Sequence, residues 1–144
     1  MSTHAIANET IKRCWLLAWQ AGPLSAMPIE HENHRFKAPT DTPWGRLTLT
    51  RGDTSKVSLG GPTVKIERTP FILNLQVFIP ENQGTRAADN AADAMAALND
   101  FTASETNLTV NFKTVGIGSS SADKGAAFLI TIPGQYDLTG SPGI

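Results

Sequence analysis

Two histidines, a glycine-rich loop and a lone thiol are the residues whose types could carry chemistry. His31 and His34 sit in the run Glu30-His31-Glu32-Asn33-His34, a set of side chains able to bind a metal. On a strand, a spacing of three sends the two rings to opposite faces, and no second cluster of ligands appears elsewhere, so a solvated strand edge is the better reading. Residues 116–125, Gly-Ile-Gly-Ser-Ser-Ser-Ala-Asp-Lys-Gly, resemble a phosphate loop only in composition. The lysine is not followed by serine or threonine, and no helix follows, so the stretch reads as a flexible loop. Arg51-Gly52-Asp53 reads as a turn. Cys14 falls within an apolar helical run, where a buried structural thiol is the ordinary reading. The carboxylates are scattered, with no pair placed for acid–base work. Cofactor, metal and catalytic residues are all expected to be absent, although a triad is spatial and does not show in spacing.

The elements that would position such groups follow from periodicity. Residues 3–20 read as a helix: Ala7, Ile11, Cys14, Trp15 and Ala18 recur at steps of three and four. Leu16, Leu17 and Trp19 widen that face, so the helix is expected to touch two surfaces, the sheet and a neighbouring subunit. Gly22-Pro23 ends it. A first strand is expected over 27–36, followed by a polar stretch, 37–43. Residues 44–50 alternate as a half-buried strand, with Gly45, Leu47 and Leu49 on one side.

Residues 52–68 read as a protruding hairpin arm, with two short runs, 56–59 and 63–68, around Gly60-Gly61-Pro62. Such a ribbon is marginal alone and would gain stability against something else. Residues 69–79 give the clearest strand, with Phe71, Leu73, Leu75, Val77 and Ile79 as the core floor. Thr85 can cap an alanine-rich helix running to about Phe101, whose buried face is Ala88, Ala91, Ala92, Met95, Leu98 and Phe101. Residues 108–117 form another strand, in which the apolar phase shifts by one between Phe112 and Val115, the mark of a bulge. Residues 127–132 form the last strand. Residues 133–144, with two prolines and three glycines, read as an extended tail. The helix between strands 69–79 and 108–117 would allow that pair to be parallel through a crossover. The expected fold is α+β: one mixed, mostly antiparallel sheet, with two helices packed on one face.

Composition bounds the function. The 144 residues suit one domain, with 40% hydrophobic and 17% charged side chains. Twelve basic and 13 acidic side chains leave a formal charge of −1, without the basic excess of a dedicated nucleic-acid binder. One cysteine precludes an internal disulfide and fits a reducing cytoplasm. No apolar run is long enough to serve as a signal peptide or to span a bilayer, so no membrane role is expected.

Phe36-Lys-Ala-Pro39, Pro43-Trp44-Gly-Arg46-Leu47-Thr48-Leu49, Leu73-Asn-Leu-Gln76-Val77-Phe78-Ile79-Pro80, and Gly84-Thr85 ahead of the alanine-rich helix together resemble the bacteriophage tail-terminator family. The leading helix and Gln135-Tyr136-Asp137 fit the same layout, whereas 52–68 and 116–125 do not match. The resemblance implies a structural virion protein at the neck, assembled in the host cytoplasm. It would form a ring, commonly of six subunits, that sits on the tail tube protein, stops tube growth and meets a head-closure or connector protein. Packaged DNA would pass through the lumen without sequence-specific binding, and no cofactor is implied. Another neck component, a head-closure or tail-completion protein, is the alternative, and a small enzyme or ligand-binding domain is a more distant one. Candidate interface residues are Trp44, Arg46, Val57, Leu59, Val64, Ile66 and Tyr136. Trp44 and Arg46 are of types enriched at interfaces, but a core tryptophan and a solvated arginine remain an equal reading.

Overall fold

The computed structural model describes residues 3–32, 34–57, 65–81, 83–120 and 126–140. Helix α1 (His4–Gln20) starts where Thr3 Oγ1 accepts the amide of Ile6, which satisfies one of the free N–H groups of the first turn. Short strand β1 (Ile29–Glu30) leads to β2 (Trp44–Arg51), then to β3 (Ser55–Lys56) and the long β4 (Lys65–Ile79). Helix α2 (Arg86–Met95) runs into a 3-10 turn (Ala96–Leu98). Thr85 stands at its N-cap position without a side-chain bond; its carbonyl instead accepts from Ala88 and Asp89. Strands β5 (Thr102–Glu105), β6 (Leu108–Phe112), β7 (Gly116–Ser120) and β8 (Ala126–Gly140) complete the chain.

The eight strands form one sheet, ordered β1-β2-β4-β8-β6-β5, with β3 also on β4 and β7 also on β8. Every pairing is antiparallel except β1 on β2. The fold is thus α+β, with a mixed, mostly antiparallel sheet. Alternation along β4 buries Phe71, Leu73, Leu75, Val77 and Ile79, as the sequence predicts. They meet Ala7, Ile11, Trp15 and Trp19 of α1 and Ala88, Ala91 and Met95 of α2 in one core. Trp15 and Trp19 stack at 5.1 Å within it. The small faces let the helices approach closely: a Cβ on Gly22 would lie 2.9 Å from that of Ala94.

Several boundaries differ from expectation, each for an identifiable reason. Strands 69–79 and 108–117 are not a parallel pair: β8 lies between β4 and β6, and the parallel pair is β1 with β2. The strand expected over 27–36 is only Ile29–Glu30, since the polar residues beyond it have no core face to bury. The strand expected over 108–117 divides into β6 and β7, both on β8. The bulge itself is present: from Phe112 to Gly116 is four steps, opposite three from Gly134 to Thr131.

A matching irregularity separates β2 from β3. Arg51 to Ser55 is four steps, opposite three from Phe71 to Arg68. A proline faces each. Pro70 O accepts the Gly52 amide and Pro133 O accepts the Lys113 amide, both near 2.9 Å. Proline offers an acceptor but no donor, so an even ladder cannot continue past it and the neighbour bulges.

Residues 133–140, read from sequence as a tail, are extended but continue β8 within the sheet, with Gly134 and Tyr136 buried. The base of the supposed arm also belongs to the sheet: Ser55 and Lys56 pair with Arg68 and Glu67, while 65–68 pair with 137–140. Its tip, with Leu59 and Val64, lies outside the described residues. Strand β5, with Ala103 as its single apolar residue, has no alternation by which the sequence reveals it.

Candidate assembly surfaces

Strand alternation gives the sheet a second face, turned away from the helices. Along β4 it carries Arg68, Pro70, Ile72, Asn74, Gln76 and Phe78; along β2 it carries Trp44, Arg46, Thr48 and Thr50. Pro70, Thr50 and Arg46 are exposed, and Ile72 keeps 45% of its surface in solvent. Uncharged polar side chains fill the middle of this face: Thr48, Asn74, Thr131, Gln135, Asn111 and Thr109.

One corner holds an aromatic cluster capped by a cation. The rings of Trp44 and Phe78 stack at 4.3 Å, and Phe36 tilts against Trp44 at 5.3 Å. The Arg46 guanidinium lies 5.6 Å from the Trp44 ring and 5.4 Å from that of Phe78. Its Nε donates to Glu30 Oε2 at 2.8 Å. Trp44 and Arg46 are therefore neither core nor free: they form one preordered patch on the outer face. At the opposite end, Arg68 donates twice to Asp137, at 2.8 and 3.0 Å, and that bond raises the arginine pKa further.

The remaining sequence candidates scatter. Val57 is half-buried, and its amide donates to Ile66 O at 3.0 Å. Ile66 is half-buried on the outer face, opposite Thr139. Tyr136 is wholly buried on the helix side, its hydroxyl bonded to His4 Nδ1, so it serves its own core rather than a contact surface. On α1, Leu17 is 62% exposed, and Leu16 and Ile6 are exposed as well. A shallow apolar groove of about 410 Å³ lies between the turn after α1 and the start of β2, lined by Pro23, Leu24, Ala26, Met27, Pro28, Thr42 and Pro43.

The edges of the sheet also differ from one another. Strand β1 covers only Gly45 and Arg46 of β2. Further along, the Leu49 amide donates to Glu32 Oε1 at 3.0 Å, where another strand would offer a carbonyl. Glu32 is held in turn by Lys12 at 3.3 Å. At the far edge, β5 pairs with β6 alone among the described residues. Neither feature is legible in the sequence, since one depends on a side chain folding back and the other on a strand without apolar alternation.

The chemistry-bearing residues do not converge. Because the strand stops at Glu30, His31 and His34 do not take opposite faces; their rings meet edge-on at 6.3 Å, and His31 also meets Trp15 edge-on. Burial, His34 and Lys12 together hold the His31 pKa below its ordinary value. Burial raises that of Cys14. No group of three or more His, Cys, Asp or Glu is placed to hold a metal among the described residues. No helix there is long and apolar enough to cross a membrane.

Comparisons with known proteins give the geometry a context. The family model described as phage tail terminator protein matches residues 9–133. A solved structure of a protein without a functional name is 24% identical over 96% of each chain, with a TM-score of 0.59, which speaks to the fold alone. No curated protein matches the sequence.

Proposed function

Since the chain belongs to the phage tail terminator family, we propose that it is a structural virion protein that assembles into a ring of six subunits on the head-proximal end of the tail tube. There it ends tube growth and provides the surface to which a head-closure or connector protein joins. The work is done by contact surfaces, and no bond-making step is required of any residue. The observation that carries this reading is the family match, which runs from within α1 through α2 and the sheet to the middle of β8.

The physical design supports it. A ring of identical subunits needs a head-to-tail contact in which two different patches of one chain meet. The sheet offers two unlike terminal edges, and its outer face carries a rigid aromatic–arginine patch of the composition that anchors interfaces. A formal charge of −1 suits a lumen through which DNA moves without being gripped, since strong phosphate binding would impede transit.

The test is to mix the purified protein with tail tubes and image them. A ring on one end only, together with tubes that no longer lengthen when tube subunits are added, is the expected result. Tubes that keep growing from both ends, or protein spread along their sides, would refute the proposal.

A further inference from the structure

We propose that the ring closes by adding β5 of one copy, in parallel, to the outer edge of β2 of the next, and that Glu32 holds that edge until the neighbour arrives. This rests on the ring reading above and names the surfaces that make it.

Strand polarity around the sheet favours this seam. From β2 to β5 the sheet takes four antiparallel steps, β2/β4, β4/β8, β8/β6 and β6/β5, so β5 runs in the same direction as β2. A sheet that continues from one copy to the next by rotation keeps this polarity and sets β5 parallel to β2. The edge of β2 already accepts a parallel strand, since β1 pairs there at Gly45 and Arg46. Beyond β1 the same edge stays unladdered among the described residues, and the Glu32 carboxylate takes the Leu49 amide. A carboxylate held by one half-buried lysine, and itself exposed, is a replaceable partner for a backbone donor.

The side chains of the two edges also match. Leu49 and Ala103 both pack partly against the core and so lie on the helix side of the sheet. A continuous sheet must keep that side common. Placing Ala103 beside Leu49 sets Thr102 by Thr48 and Ser104 by Thr50 on the outer face, and Glu105 by Arg51 on the helix side. Apolar meets apolar, hydroxyl meets hydroxyl, and the terminal pair is of opposite charge. Glu105 already engages Arg13 of its own helix through an exposed ion pair, so the carboxylate would be shared by two arginines across the contact.

Cross-linking tests the register. In a Cys14→Ser background, the double variant Thr50→Cys, Ser104→Cys should give a covalent ladder up to the full ring under mild oxidation, because both positions are exposed and adjacent across the seam. Thr50→Cys paired with Glu105→Cys, on opposite sides, should not. Arg51→Glu should raise the concentration needed for assembly about tenfold, and Arg51→Glu with Glu105→Lys should recover it. Circular dichroism of each variant at low concentration confirms a folded subunit. Rings that form without any Thr50–Ser104 ladder overturn this seam while leaving the ring reading intact. A protein that forms no ring, alone or on tubes, overturns both.

Discussion

A single charged group can report on how α1 is clasped. His31 lies against Trp15, and burial, His34 and Lys12 each disfavour its protonated form. Its folded pKa is depressed below the unfolded value of 6.5, so the unfolded chain binds the proton more readily. The stability tied to the neutral ring is complete above that pH and is lost as pH falls through the folded pKa. Thermal melts at pH 7.5 and pH 5 should therefore differ, and His31→Asn should flatten the difference. Equal slopes in the two proteins would show that other groups set the acid sensitivity. Arg46 gives a second residue-level expectation. Exchanging it for Met keeps much of the apolar stem but removes the charge over Trp44 and Phe78 and the bond to Glu30. Cation–ring contacts at exposed sites contribute about 0.5–1 kcal/mol, so urea denaturation should register a loss of that size.

At the scale of elements, the two prolines of the central strands set the pattern of pairing. Pro70 and Pro133 present a carbonyl without a donor, and the strand opposite each one takes in an extra residue. Deleting Thr114 removes that residue between β6 and β7. Three steps then face three, so β6 and β7 can keep their registers on β8 only as an even ladder past Pro133, which has no amide to donate. Hydrogen exchange should show the amides of β6 and β7 nearest the deletion losing protection; unchanged protection there would mean that the bulge is dispensable. The phase shift from Phe112 to Val115 made this bulge legible in the sequence, as period-two alternation did for β2 and β4. What escaped was β5, whose Thr-Ala-Ser-Glu has no apolar rhythm, and the Glu32 plug, which is a tertiary contact of an exposed side chain. The burial of Tyr136 is hidden for a related reason: the prolines and glycines around it read as a tail, yet Gly134 is there so that Phe71 and the Asn111 carbonyl can close over it.

For the whole molecule, β8 is the hub. It pairs with β4 along all its fifteen residues, and its other edge carries β6 and β7 in succession. The half beyond Ile132 supplies Gly134 under Phe71 and the buried Tyr136 bonded to His4 at the start of α1, and it is the only described partner of β6 other than β5. A chain ending at Ile132 would leave β6 and β5 without an anchor and open the core beside α1. Filling or emptying such sites one residue at a time typically costs about 1–5 kcal/mol, which for a domain of marginal stability is a large share of the total. The truncated protein should lose its near-ultraviolet dichroism and its cooperative melt, and Gly134→Ala should lower stability in the same direction by about 1–3 kcal/mol. A truncated chain that melts cooperatively at the full-length temperature would show instead that this segment is separable from the fold, and therefore free to serve a neighbouring subunit.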